Sequence, residues 1–133
     1  MSSGSNIVKT LSMLDSKFNF STSVKNMTDV QKKEYLLFRS KFIQEENDEL
    51  LASIMLNNKD GIVDACIDVA VVALGTLQSF GIDVEKAWQT VADSNLQKEL
   101  GTNPKRSANP NMPDLVKPVG WREPCHKDNV GVL

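Results

Sequence analysis

The chain has 133 residues, of which 41% are hydrophobic and 24% charged, and its net charge is −2 at neutral pH. This length suits one domain, and the composition excludes wholesale disorder. The small net charge, without a strongly basic segment, argues against binding of nucleic-acid polymers through bulk electrostatics.

Neither a secretory leader nor a membrane span is predicted. The first residues, Met1–Asn6, are polar and lack the apolar stretch of a signal peptide. The longest nearly apolar run, Ile62–Leu74, contains two aspartates and is too short to cross a bilayer. We therefore expect a soluble, cytoplasmic protein with no membrane partner.

The cysteines and the single histidine do not predict a metal or disulfide site. Cys66 lies in an apolar run and is predicted to be a core residue, whereas Cys125 adjoins His126. Two neighbouring residues do not supply the three or four ligands of a zinc site. The absence of a disulfide framework fits a reducing cytosol.

The first half of the chain predicts two helices. Helical spacing of apolar residues predicts a first helix over residues 5–16, and Phe18–Val24, rich in Ser and Thr, reads as a connection. Thr28 and Asp29 are candidate N-caps for a long helix over Val30–Met55, which contains no Gly or Pro. One stripe of this helix carries Tyr35, Phe38, Phe42, Glu46 and Glu49.

The second half begins with Ile62–Phe80, which is apolar nearly all round. Its length favours a helix over a buried strand, and such a helix is buried on most sides, within one subunit or at a subunit interface. Gly81 ends this helix. Asp83 is the predicted N-cap of a fourth helix through about Leu100, with Trp88 in the core.

All five prolines follow Thr102 and predict an irregular tail. The predicted fold is all-α, a four-helix-bundle-type domain with a Pro-rich C-terminal tail. Residues 1–101 form the helical domain, and residues 102–133 pack on the bundle without forming a separate domain. The residues expected to dock are Leu115, Val116 and Trp121.

Acidic residues crowd both sides of the predicted turn at Asn57–Gly61. The run Glu45–Glu49 holds four acids, and Asp60, Asp64 and Asp68 follow at four-residue steps. Residues three or four apart are neighbours on a helix, so Glu46 and Glu49 project together and Asp64 and Asp68 share a face. A helical hairpin brings the two acidic groups face to face.

The aspartates interrupt an otherwise apolar run, where an unpaired ionised carboxylate is very costly. A divalent cation with a preference for oxygen ligands, Mg²⁺ or Mn²⁺, offsets that cost. Two alternatives compete with a metal site. In the first, the glutamates form a solvated helix face. In the second, the aspartates pair with a distant arginine, such as Arg39 or Arg106.

These motifs resemble the MazG-like all-α nucleoside triphosphate pyrophosphohydrolases, and most closely the subset similar to phosphoribosyl-ATP pyrophosphohydrolase. The resemblance rests on Glu45-Glu46-x-x-Glu49, on Asp64-x-x-x-Asp68 followed by Gly75-Thr76, and on Gly81-Ile82-Asp83, Ser94-Asn95-x-x-Lys98, Lys117 and Gly120-Trp121-x-x-Pro124. It covers about residues 7–125. One departure concerns the second motif: the commoner pattern has Glu three residues before the final Asp, where this chain has Ala65.

The resemblance implies that the helical domain is catalytic and that Mg²⁺, or Mn²⁺, is bound by Glu46, Glu49, Asp64 and Asp68. Glu45 and Glu46 are the implied catalytic residues, with Glu45 as a ligand or a water-orienting base. Asn95, Lys98 and Lys117 are candidates for contacts with the sugar and phosphates of the substrate, against the alternatives of a helix-end residue and solvated lysines. Trp121 is a candidate for base stacking or for the core.

The implied reaction is hydrolysis of a (deoxy)nucleoside triphosphate to the monophosphate and pyrophosphate, as part of nucleotide-pool control. Two alternatives remain: hydrolysis of phosphoribosyl-ATP, and a non-catalytic helical interaction module that binds metal. The resemblance also implies a homodimer or homotetramer, in keeping with the apolar third helix.

Overall fold

The computed structural model describes residues 3–133, with side chains from Asn6 onward. Met1 and Ser2, the start of the polar N-terminal segment, lie outside the described residues. The element order is α1 (Ser3–Phe18), α2 (Phe20–Lys25), α3 (Asp29–Met55), α4 (Lys59–Ser79), α5 (Val84–Leu96), β1 (Glu99–Gly101) and β2 (Asp114–Val116). The predicted all-α class is confirmed. No helix in this part of the chain combines the length and the apolar composition that membrane crossing requires.

The N-terminal region is more helical than the sequence predicts. α1 is longer than the predicted helix, and the segment predicted as a connection contains α2. The two helices are separated at Asn19, whose φ of 57° lies in the left-handed region. Asp15 then accepts a hydrogen bond from the backbone N–H of Ser21, 2.9 Å away, in the first turn of α2. This side-chain contact stabilises a short helix whose composition is typical of a loop.

The hairpin of α3 and α4 is the element that positions the acidic residues. α3 begins with a capping box, in which the Thr28 side chain accepts from the Gln31 N–H and the Gln31 side chain accepts from the Thr28 N–H. The Asn58 side chain caps α4 by accepting from the Gly61 N–H. A Cβ on Gly61 would lie 2.6 Å from Ser53 Oγ, so the two helices approach closely beside the turn.

The chain divides into two compact units. The first extends through Glu85 and includes Asn129–Leu133, and the second is Lys86–Asp128. In the first unit α4 packs against α1, α2 and α3. Phe80 is 1% exposed, and its ring lies edge-on to Tyr35. The Val132 N–H donates to the Phe80 carbonyl, which brings the end of the chain into this unit.

α4 is less buried in the single chain than its composition predicts. Val63 and Ile67 are 65% and 58% exposed. Cys66 is exposed as well, so its assignment to the core is wrong. The neighbouring helices cover only part of an all-apolar surface, and Cys66 lies on the part that they leave open.

The second unit contains α5 and a short antiparallel β-ribbon. α5 ends at Leu96, before the predicted end near Leu100, because the chain turns there to enter β1. Leu100 pairs with Leu115 at the centre of the ribbon. Trp88 is 64% exposed, so its assignment to the core is wrong: α5 turns its apolar Ala87, not Trp88, inward. The division into a domain of residues 1–101 and a docked tail remains a prediction.

Candidate metal centre

The packing of α3 on α4 sets the alignment of their acidic residues. Arg39 of α3 donates from Nε to Thr76 Oγ1 and from Nη2 to the Val72 carbonyl, both at 2.9 Å. At the other end of the hairpin, Ser53 faces Gly61. The helices are therefore antiparallel neighbours along their length, and the acids between these two contacts lie opposite one another.

Three carboxylates meet at this seam. Glu46, Glu49 and Asp68 each offer one oxygen, and these oxygens lie within 4.8 Å of one another. Glu46 and Asp68 are half-buried, whereas Glu49 is exposed. Two of the acids are one turn apart on α3 and the third comes from α4, so the group exists only when the hairpin is folded.

Glu46 lies in an environment that disfavours its negative charge. Burial is the largest cause that raises its pKa above the ordinary value, followed by the negative charges of Glu49 and Asp68. The Glu46 Oε2 atom is buried and has no hydrogen-bond partner. A buried carboxylate oxygen without a donor, beside two further carboxylates, fits a divalent cation that prefers oxygen ligands.

Asp64 and Glu45 lie outside this group of three. Asp64 is exposed, which corrects the prediction that both aspartates are set in apolar surroundings. Its charge still raises the pKa of Glu46. Glu45 is exposed on α3. Asp64 therefore remains a candidate through its effect on Glu46, and Glu45 only through its place beside Glu46 in the sequence.

The alternative in which an arginine neutralises the aspartates is not the arrangement observed. Arg39 is engaged with Thr76 and Val72. Arg106 makes a two-pronged pair with Asp114 across the loop that joins the β-strands. Within the described part of the chain, the carboxylates of the cluster thus have no arginine partner.

Arg39 has a structural role that the sequence interpretation missed. A Cβ on Gly75 would lie 3.2 Å from Arg39 Nη2, so the glycine leaves room for the guanidinium against α4. The pair Gly75-Thr76 was the available signal, since it supplies that space and the hydroxyl acceptor.

The predicted substrate-binding residues belong to the second unit. The ammonium groups of Lys98 and Lys117 lie 5.1 Å and 4.8 Å from the centroid of the Trp121 ring. Trp121 Nε1 donates to the Ser94 carbonyl at 2.7 Å. Asn95 is exposed in the last turn of α5. The indole therefore brings two cations together close to the end of that helix.

The family model described as phosphoribosyl-ATP pyrophosphohydrolase matches residues 19–95, more than half of the chain. No curated protein and no solved structure gives a significant match. The matched range includes the α3–α4 hairpin and all three carboxylates of the cluster.

Proposed function

This chain belongs to the phosphoribosyl-ATP pyrophosphohydrolase family and is a pyrophosphohydrolase, an enzyme that acts on phosphoric anhydrides; within that class we propose that it hydrolyses (deoxy)nucleoside triphosphates with Mg²⁺. The products are the monophosphate and pyrophosphate, as in the MazG-like enzymes. The observation that carries this proposal is the convergence of Glu46, Glu49 and Asp68 within 4.8 Å.

The donor set fits Mg²⁺, with Mn²⁺ as the alternative, because all three ligands are carboxylate oxygens. When bound, the metal neutralises phosphate oxygens and lowers the pKa of a bound water. We assign Glu46, Glu49 and Asp68 as ligands. Asp64 is the fourth, at the edge of the site, where its charge already acts on Glu46.

In this proposal, Glu45 or Glu46 is the general base that accepts the proton of the attacking water. A carboxylate oxygen that is not committed to metal takes the proton of the attacking water, as general-base catalysis requires. The water oxygen forms a bond to the α-phosphorus, and the bond between that phosphorus and the oxygen that bridges to the β-phosphate breaks. The electron pair of that bond leaves with the pyrophosphate.

Lys98, Lys117 and Asn95 remain proposed contacts for the phosphates and the sugar of the substrate, as the family resemblance implies. The support is local: both ammonium groups are held beside one indole ring. Lys117 also lies 3.3 Å from Glu123, a solvent-exposed pair that phosphate replaces at little cost.

A second substrate, phosphoribosyl-ATP, is favoured by the description of the matching family. It contains the same 5′-triphosphate, so the carboxylate cluster serves both substrates by the same chemistry. The two candidates differ in what occupies the base end of the site, where phosphoribosyl-ATP carries an additional sugar phosphate.

A substrate panel tests these proposals. The four NTPs, the four dNTPs and phosphoribosyl-ATP are incubated with Mg²⁺, and pyrophosphate and monophosphate are quantified. Turnover of a nucleoside triphosphate supports the first proposal, and turnover of phosphoribosyl-ATP alone supports the second. Glu49→Gln should reduce the turnover because it removes a proposed ligand. Asp48→Asn is its matched control and should keep the turnover, because Asp48 is an exposed acid on α3 that pairs with Gln44. No turnover of any substrate, with melting still raised by metal, would favour the non-catalytic module.

We further propose that the chain forms a cytoplasmic homodimer or homotetramer through the open face of α4. Val63, Ile67 and Val71 follow one another at four-residue spacing and are 40–65% exposed. A stripe of large apolar residues that is open in the single chain is typical of a subunit interface. Light scattering of the purified protein tests this, and a monomeric mass would contradict it.

A further inference from the structure

A cavity in the first unit takes no part in the chemistry described so far. It has a volume of about 530 Å³ and lies beside the first half of α3. Its aromatic walls come from Phe20, Tyr35 and Phe38, and its lining also carries polar side chains, those of Gln31, Glu34 and Arg39. An apolar cavity with a few polar groups is the usual form of a small-molecule site.

Arg39 is the one basic residue among the described residues of this lining. It is half-buried, and two of its five N–H groups donate to Thr76 and to the Val72 carbonyl. Within residues 6–133, whose side chains are described, no carboxylate lies within 4.0 Å of it. A half-buried guanidinium beside a cavity therefore retains donors for a ligand.

Glu34 belongs to the same lining and offers a hydrogen-bond acceptor where Arg39 offers donors. Its carboxylate only accepts hydrogen bonds, and it has no hydrogen bond or ion pair with another described side chain. Gln31 adds a further donor, because its Oε1 accepts from the Thr28 N–H while its Nε2 remains available. The cavity thus offers aromatic faces, free donors and a free acceptor.

The cavity and the carboxylate cluster lie along one side of α3. Arg39 and Glu46 are seven residues apart, which places them about 10 Å apart along the axis and within about 20° of one face. Both also face α4, since Arg39 bonds to Val72 and Glu46 meets Asp68. A nucleotide whose phosphates lie at the cluster is long enough to place its base near Arg39.

We infer that this cavity binds the nucleobase of the substrate, an inference that rests on the proposed function. Phe38 and Tyr35 stack on the base. Arg39 donates to a carbonyl oxygen or ring nitrogen of its edge. Glu34 accepts from a ring N–H or an exocyclic amino group. These are the donor and acceptor types that base edges present.

The test compares substitutions of the lining with matched substitutions elsewhere. Phe38→Ala removes a stacking surface, and Leu37→Ala is its control because both side chains are 63% exposed. Glu34→Gln removes the carboxylate, and Glu85→Gln, an exposed acid of α5, controls for the loss of charge. Circular dichroism establishes that each variant is folded.

We expect Phe38→Ala to raise KM for the best nucleotide of the panel by about 10-fold or more, with kcat changed less than about 3-fold. We expect Glu34→Gln to change the ratio of kcat/KM between the best and the worst base by at least about 10-fold. The control variants should match the wild type. Hydrolysis with KM and base preference unchanged in both lining variants would overturn the inference and leave the proposed function standing.

A binding measurement separates the two claims if no substrate is hydrolysed. Nucleoside monophosphates are titrated into the metal-free protein by calorimetry. Binding to the wild type that is lost in Phe38→Ala and kept in Leu37→Ala would support the cavity although the proposed function had failed. No binding of any monophosphate to the wild type would overturn the inference.

Discussion

Magnesium should stabilise this protein through the three carboxylates of the α3–α4 seam. Asp68 is separated from Glu46 and Glu49 by the turn between the helices, so the cluster does not persist in the unfolded chain. A ligand that binds only the folded state at a concentration 100 times its Kd adds about 2.7 kcal/mol to the free energy of unfolding. For a chain of this length that is a rise in Tm of roughly 10 °C.

The perturbation is Glu49→Gln, which removes one charged ligand and keeps the size of the side chain. Loss of a ligand should weaken the site by at least the 10–100-fold typical of outer-shell partners, leaving about 5 °C of the rise at 10-fold and about 1–2 °C at 100-fold, at the same Mg²⁺ concentration. Without metal, the variant should melt above the wild type, because Glu49 repels Glu46. The assay is differential scanning calorimetry with Mg²⁺ and with EDTA. An equal rise in the variant and the wild type would refute the assignment, and Asp48→Asn should behave as the wild type.

Three further outcomes follow from the structure. Phe80→Ala should lower the free energy of unfolding in urea by about 3–5 kcal/mol, because Phe80 is 1% exposed and fills the first unit. Thr28→Ala should lower the free energy of unfolding by about 0.5–2 kcal/mol through loss of the capping box of α3. Thr28→Ser should retain most of that stabilisation, because serine also caps helices. Arg106 holds the pKa of Asp114 below the ordinary value of 3.8. The stabilisation from that pair is therefore complete above about pH 5 and is lost as pH falls through the lowered pKa. Amide exchange in β1 and β2 measures this loss, and Asp114→Asn should remove the pH dependence.

The long helices were predictable because their signals are local. The Thr28 cap and the absence of Gly and Pro define α3, and Gly81 adopts a φ of 72° just after α4, as a C-terminal glycine should. α2 was missed because its first turn depends on a side chain from α1, Asp15. The β-ribbon was missed because two strands of three residues are stabilised by pairing across a long loop, not by composition.

The pairing of the acidic groups was also predictable, because a short turn between two long helices places the residues on either side of it opposite one another. The burial of individual residues on α4 was not. A helix that is apolar on every side does not specify which face packs, and the choice made by α1, α2 and α3 leaves Cys66 and Asp64 exposed. Glu46, whose buried oxygen has no hydrogen-bond partner, therefore supports a metal site more strongly than the aspartate pair does.

Ala65 occupies the position at which the commoner family pattern has Glu. It is 2% exposed and lies one turn before Asp68, which meets Glu46 and Glu49 of α3. A carboxylate there would join the cluster but would enter a filled space.

Ala65→Glu should cost about 1–3 kcal/mol of overpacking, together with like-charge repulsion, when metal is absent. Mg²⁺ should offset the repulsion, so the rise in Tm on adding Mg²⁺ should exceed that of the wild type. Ala65→Gln, equal in size and uncharged, isolates the packing cost. If Ala65→Glu and Ala65→Gln were destabilised by the same amount, both with and without Mg²⁺, position 65 would not reach the metal. Asp64 would then be the stronger candidate for the fourth ligand.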